Sequence, residues 1–218
     1  MLSVVIPAFD AEATLPACLA ALGSVPDLVV VDGGSSDSTR DIARAAGARV
    51  VEGPRGRGVQ LAAGAAAARE PWLLFLHADT RLTHRWRGRS KQHMADVPGA
   101  AACFRFRLDD PAWQARAIER GVALRVRLLA LPYGDQGLLI PRRLYDALGG
   151  YRPLPLMEDV DLVRRIGRRR LRLLDAAALT SAAKWRRDGW LRRSARNLVC
   201  LGLYGAGASA ERVARLYG

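Results

Sequence analysis

The feature that most constrains this chain is a rhythm in its first eighty residues, where short apolar runs alternate with helical patterns at close spacing. Residues 3–7 are a β-branched run closed by Pro7, residues 28–31 a continuous apolar run ending at Asp32, and Arg49–Glu52 a third run. Residues 72–77 form a fourth, which leads straight into Ala78-Asp79. Between them Leu15, Cys18, Leu19 and Leu22 recur at helical spacing before Gly23. Ile42, Ala43 and Ala46 do the same before Gly47, and residues 59–69 are an alanine-rich helix after a loop over 53–58. Unbroken apolar strands are buried on both faces, and strands alternating with helices build a parallel sheet covered on both sides. The expected class is α/β, with a mostly parallel central sheet.

Beyond Asp79 the pattern loosens. Residues 101–108 read as a strand with Phe104, Phe106 and Leu108 on one face and Arg105 and Arg107 on the other. A helix is expected over 112–131, a short strand over 138–141, a helix over 158–166 and a strand over 171–174. The tail, 190–203, sets Leu191, Ala195, Leu198 and Leu203 near one face with Arg192, Arg193 and Arg196 outside it. Ser209 can cap a last helix. With no repeat and no low-complexity linker, residues 1–218 read as a single domain with C-terminal helices appended.

Charge divides the chain. Residues 1–80 hold 6 Arg/Lys against 9 Asp/Glu, whereas residues 81–218 hold 28 against 12, within an overall net of +13. The basic half is a candidate surface for phosphates, anionic lipid or nucleic acid, or simply a solvated arginine surface. No helix-turn-helix, RNP or zinc-finger signature accompanies it, so nucleic acid is not the expected partner. Three scattered cysteines (Cys18, Cys103, Cys200) form no C-x-x-C pair, which argues against a disulfide framework or zinc site. No apolar run reaches membrane-spanning length and the start lacks a basic leader, so a cytoplasmic protein is expected.

In doubly wound sheets ligands bind beyond the carboxyl ends of the strands. Acidic residues sit at three such places: Asp32 ends the second strand, Asp79 follows the fourth, and Glu158-Asp159 open a helix after a loop. Neither G-x-G-x-x-G nor a G-x-x-x-x-G-K-[ST] loop is present, which disfavours the dinucleotide fingerprint and P-loop hydrolysis.

Four segments in order, residues 4–12 (V-V-I-P-A-F-D-A-E), 30–39 (V-D-G-G-S-S-D-S-T), 74–79 (L-F-L-H-A-D) and Glu158-Asp159, resemble the family-2 glycosyltransferases. Together with G-D-Q-G at 134–137 and P-L-M-E-D at 155–159, the chain is similar to a small bacterial branch associated with radical-SAM/selenodomain or arsenosugar systems. The resemblance implies a GT-A, Rossmann-like nucleotide-binding fold and transfer of a sugar from a nucleotide diphosphate donor, usually UDP-linked and with inversion. Residues 1–80 become the nucleotide-sugar half, 81–187 the acceptor and catalytic half, and 188–218 the basic C-terminal helices.

The same resemblance implies roles. Pro7 and Phe9 lie where the family places the base, and Phe9 can stack on it. Glu12 and Asp32 can accept hydrogen bonds from base or ribose, although Asp32 and Asp37 also suit a turn and helix cap. Arg57 and Gln60 lie where relatives approach the nucleotide and diphosphate, while Ala62 replaces a common asparagine. Asp79 is the candidate ligand for Mg²⁺ or Mn²⁺. His77 stands where most relatives have a second acidic residue, and can ligate Mn²⁺, touch ribose, or be a satisfied histidine. Asp159 is the candidate general base. Glu158 is a second catalytic candidate or a helix-dipole carboxylate, and Asp161 more plausibly serves its arginine neighbours. Asp135 and Gln136 are candidate acceptor contacts, and Lys184, Trp185 and Arg186 resemble a segment closing over diphosphate and acceptor.

Alternatives remain open at this point: a sugar-phosphate nucleotidyltransferase, whose Gly-rich basic loop after the first strand is replaced here by residues 8–12, or a basic nucleic-acid-binding protein. The acceptor is not specified. A lipid-linked acceptor, peripheral contact of 188–218 with the inner face of a membrane, and a homodimer are each compatible with the tail.

Overall fold

A computed structural model describes residues 1–217. Its centre is one eight-stranded sheet, β1 (Leu2–Ala8), β2 (Asp27–Asp32), β3 (Arg49–Glu52), β4 (Trp72–Phe75), β5 (Thr80–Leu82), β6 (Ala101–Leu108), β7 (Leu138–Pro141) and β8 (Leu171–Thr180), in the order β3-β2-β1-β4-β7-β6-β8-β5. The first four strands are mutually parallel, with Val5 opposite Val29 and Phe75. β7 runs antiparallel between β4 and β6, and β5 antiparallel on the edge beside β8. The alternating pattern therefore gives consecutive parallel neighbours only as far as β4; past it β7 and β5 enter antiparallel, while β6 and β8 pair parallel to each other.

Alternation along β1 feeds two cores. Val4 and Ile6 point into a layer shared with α1 (Leu15–Leu22), α2 (Thr39–Ala45) and α4 (Trp86–Asp96). Val5 points into the opposite layer with α3 (Arg57–Ala67), α6 (Arg142–Ala147) and α7 (Glu158–Ile166). Each such fully buried aliphatic contributes about 1.5–3 kcal/mol relative to exposure. At the amino ends of the strands Asp27 closes the sheet: it accepts from Ser3 Oγ at 2.6 Å and from Arg49 Nη2 at 2.7 Å.

Several boundaries differ from the sequence reading. β4 stops at Phe75, so Leu76 and His77 lie past the strand, and α3 starts at Arg57, two residues early. β8 continues from Leu171 to Thr180, six residues beyond the apolar run at 171–174, because β5 and β6 both pair with it. α4 carried no apolar period: its buried positions are Trp86, Ser90 and His93, and His93 Nε2 lies 2.9 Å from the Ala100 carbonyl oxygen.

α5 (Trp113–Leu129), α8 (Ala183–Asp188), α9 (Trp190–Gly205) and α10 (Ala210–Tyr217) complete the molecule. Ser209 Oγ accepts from the Arg212 N–H at 3.3 Å, as a helix cap would. The tail departs from its expected faces. Arg193 is buried, donating to Asp188 at 2.7 Å and to the Tyr217 hydroxyl at 2.9 Å, and Arg196 donates to Asp188 at 3.0 Å. Leu191 and Leu198, on the tail's apolar face, are 88% and 63% exposed. No helix among the described residues is long and apolar enough to cross a membrane.

Candidate active site

The carboxyl ends of the parallel strands carry two adjoining groups of polar side chains with opposite characters. The first follows β1 and β2. Asp32 is fully buried; its Oδ2 accepts from the N–H groups of Gly34 (3.1 Å) and Ser35 (3.0 Å), and its Oδ1 accepts from Ser35 Oγ. Asp37 accepts from Thr39 N–H and Glu12 N–H, each at 3.0 Å, while Glu12 accepts from Ser38 N–H at 3.2 Å. Gln60 sits beneath, its Nε2 donating to the carbonyls of Ala8 and Val31, both at 2.8 Å. These groups tie the loops at the ends of β1 and β2 to each other.

The second group lines a cavity of about 120 Å³ bounded by Arg57, His77, Asp79, Tyr133, Asp135, Asp159, Lys184, Trp185, Arg193, Asn197 and Tyr217. They come from several elements: Arg57 from the start of α3, His77 and Asp79 from the turn after β4, Asp159 from the first turn of α7, Lys184 and Trp185 from α8. Asp79 lies 3.4 Å from Lys184 Nζ. Burial raises the Asp79 carboxyl, and Lys184 and His77 outweigh that, leaving it below the usual range. For His77 burial, reinforced by Arg57, holds the imidazole well below its ordinary value, so it is neutral near pH 7. Its Nε2 is buried without a partner.

Asp159 is positioned by the Gly134 N–H, which donates to its Oδ2 at 2.6 Å. A Cβ at 134 would stand 2.5 Å from His77 Nε2, so a side chain there would displace the imidazole. Asp159 also follows Met157, which takes a left-handed conformation (φ 66°) at the cap of α7. A non-glycine residue there is costly, and such outliers cluster at functional sites. Glu158 is fully buried, with Arg57 Nε 3.1 Å from its Oε1 outside hydrogen-bond alignment. Burial first, then Asp159, raises its carboxyl despite Arg57. Asp135, with Oδ1 unpartnered, is pushed up to about 7 by burial, with Asp159 and Asp79 adding and Arg125 opposing.

Of the candidates drawn from sequence, the fold thus gathers Arg57, His77, Asp79, Asp135, Asp159, Lys184 and Trp185, with Glu158 directly behind Arg57. It does not bring in the rest. Asp32 and Gln60 lie outside this cavity and hydrogen-bond within the first group. Glu12 is bound to the Ser38 loop, and Pro7 is buried within β1. Phe9 is 36% exposed, with the Arg55 guanidinium 4.0 Å over its ring. Gln136 turns into the sheet and donates to the Phe104 carbonyl at 2.9 Å. Arg186 turns away to Asp110 at 3.3 Å. Asp161 pairs with Arg152 and Arg165, as its neighbours implied.

Residues that the sequence did not flag are Tyr133, Asn197, Arg193 and Tyr217. Only Tyr133, adjoining the 134–137 segment, carried a local hint. The others reach the cavity because α9 and α10 fold back over it.

No group of three or more His, Cys, Asp or Glu side chains able to hold a metal occurs among the described residues. Asp79 with His77 nevertheless fits the way Mg²⁺ or Mn²⁺ binds beside phosphates, through one or two protein ligands with the rest from substrate and water.

Comparison with known proteins decides the class. Residues 3–152 match the family model Glycosyl transferase family 2. The chain belongs to that family. Its fold is GT-A. A PGL/p-HBAD biosynthesis glycosyltransferase of Mycobacterium tuberculosis is 39% identical over 99 residues, covering 38% of this chain and 36% of the relative. An uncharacterized glycosyltransferase of Mycobacterium bovis is 41% identical over 78 residues, 35% of this chain and 36% of the relative. The match thus spans about a third of these curated relatives. Among solved structures, Mycobacterium tuberculosis glucosyl-3-phosphoglycerate synthase with Mn²⁺, UDP and glucosyl-3-phosphoglycerate superposes with TM-score 0.59 at 22% identity, covering 83% of this chain and 70% of that one. S. aureus TarS superposes with TM-score 0.68 at 13% identity, covering 99% and 69%.

Proposed function

We propose that this family-2 glycosyltransferase moves a sugar from a UDP-sugar to an acceptor hydroxyl with inversion, in the cavity between Asp79 and Asp159 and with a divalent cation. The observation that carries the reading is that one cavity unites an anchored carboxylate, Asp159, with a carboxylate–ammonium pair, Asp79 and Lys184. In an inverting displacement the acceptor oxygen attacks the anomeric carbon as the bond to the diphosphate oxygen breaks on the opposite face. The base takes the hydroxyl proton, and the diphosphate leaves with the bonding electron pair.

Asp159 suits the base, since the Gly134 N–H on Oδ2 and the Val160 N–H on Oδ1 (2.7 Å) each take one acceptor position and leave capacity on both oxygens. Lys184 and Arg57 supply positive charge where negative charge grows on the leaving group. Asp79, with the neutral imidazole of His77, would hold the cation, imidazole favouring Mn²⁺ over Mg²⁺. Such a cation, when bound, neutralises charge on the departing diphosphate. Trp185 offers a flat apolar wall for a sugar. The UDP and Mn²⁺ in the structurally similar synthase, and the G-D-Q-G and P-L-M-E-D segments of the branch named above, support this reading.

The test is thermal stabilisation and nucleotide release with UDP-, GDP- and dTDP-sugars, each with and without Mn²⁺. The expected result is selective stabilisation and UDP release with UDP-sugars, enhanced by Mn²⁺. Equal response to all three nucleotides, or indifference to the metal, would overturn the donor and cofactor assignments.

A further inference from the structure

Beside the candidate active site, α5 and α9 enclose a groove of about 720 Å³ whose lining is overwhelmingly apolar. This is within the range of cavities that bury whole organic ligands. The groove is not isolated: Tyr133, Asp135, Trp185 and Asn197 line both it and the cavity holding Asp79 and Asp159. Its two ends differ in chemistry. At the outer end Trp113, Ile118, Leu191 and Leu198 form the walls, and three of them are largely open to solvent: Trp113 is 74% exposed. Toward the inner end, buried polar atoms lack any partner, namely Arg125 Nη2, Asp135 Oδ1, Ser194 Oγ and Asn197 Oδ1. Arg125 is fixed there by stacking 3.5 Å over Tyr133 and by donating to the Leu131 carbonyl at 2.9 Å.

Unpartnered buried donors and acceptors are rare and call for a group that completes them. Exposed apolar walls call for something apolar that covers them. One molecule meets both demands if it has a hydroxyl-bearing head and an apolar tail. We propose that the groove between α5 and α9 seats the tail of an amphiphilic acceptor whose head reaches Asp135 and Asp159. The inference rests on the glycosyl-transfer reading and names the acceptor class for it. A hydroxyl between Arg125 and Asp135 accepts from the guanidinium and donates to the carboxylate. A single alkyl or prenyl chain then lies along Ile118 and Leu198 toward solvent.

Binding of n-alkyl β-D-glucosides from butyl to dodecyl, below their micelle concentrations, tests this in the full chain. Trp113, Trp185 and Trp190 line the groove and report occupancy by fluorescence. Affinity is expected to rise about threefold to fourfold per methylene until the groove is filled. Gly121, on the groove side of α5, has open space where a side chain would begin, so Gly121→Trp is the variant chosen to fill the groove. It should flatten the chain-length dependence while UDP affinity stays unchanged. Leu198→Glu, at an exposed position, should weaken the long chains more than the short ones. No chain-length dependence in the wild type would overturn the proposal. So would an unaltered dependence in Gly121→Trp, or a concentration-dependent dimer that alkyl glucosides do not dissociate. Chain-length-dependent binding by a protein indifferent to UDP would keep the groove and overturn the sugar-transfer reading alone.

Discussion

The two polar groups at the sheet edge are built from similar residues and do different things. Around Asp32, Asp37, Glu12 and Gln60 nearly every oxygen accepts from a nearby N–H or hydroxyl, and the result is a fixed pair of loops. Around Asp79, Asp135, Glu158 and His77 partners are fewer, and several buried polar atoms have none. Leaving such atoms unpaired costs about 1–3 kcal/mol each, a cost relieved when a ligand completes the pairing. The contrast separates scaffold from chemistry more sharply than residue type does.

The largest expected effect lies on the chemical side. Asp79→Ala should abolish transfer and remove the dependence of UDP affinity on Mn²⁺, while the melting temperature stays near wild type. Calorimetric titration of UDP with and without the metal checks this, and unchanged metal-dependent affinity would reassign the cation.

On the scaffold side the effect should appear in stability instead. Gln60→Leu removes the side-chain donor shared by the Ala8 and Val31 carbonyls, of which Ala8 keeps the Gly33 N–H, and should lower unfolding free energy by about 1–3 kcal/mol. Asp32→Ala, which frees the Gly34 and Ser35 N–H groups, should cost about 1–3 kcal/mol. Urea denaturation measures both. Wild-type stability in either variant would mean that the first group is not the scaffold described.

A smaller effect links the groups through pH. Asp135 keeps its proton up to about 7 in the folded chain and loses it in the ordinary carboxylate range when unfolded. The folded state therefore binds more protons between those limits, and wild-type stability falls as pH rises through that window. Asp135→Asn should remove this component, so its stability relative to wild type is expected to be more favourable at pH 8 than at pH 4. An equal difference at both pH values would show that the carboxyl titrates normally.

Much of the scaffold was legible in the sequence because its signals are local. Continuous apolar runs marked β1, β2 and β4, and the glycines after α1 and α2 marked where those helices stop. Beyond β4 the edge strand β5 has only three residues and pairs with a strand a hundred positions away. α4 buries Trp86, Ser90 and His93 rather than an apolar stripe. Neither leaves a periodic trace. At the site, Asp79 and Asp159 stood out as acids at strand and helix ends, where ligands bind in such sheets. Asn197 and Tyr217 are ordinary helix residues until α9 and α10 fold back. Sequence likewise gave no sign that Arg193 would be buried against Asp188 and Tyr217.

The central claim is that the cavity between Asp79 and Asp159 is where the sugar is transferred, with Asp159 taking the proton. The most direct measurement is the rate of UDP release from a saturating UDP-sugar in Asp159→Asn, with water or a glycoside as acceptor. The account predicts a fall of about 10²–10⁴-fold with UDP affinity and melting temperature retained. A rate near wild type would contradict it and move the base to Glu158 or Asp135.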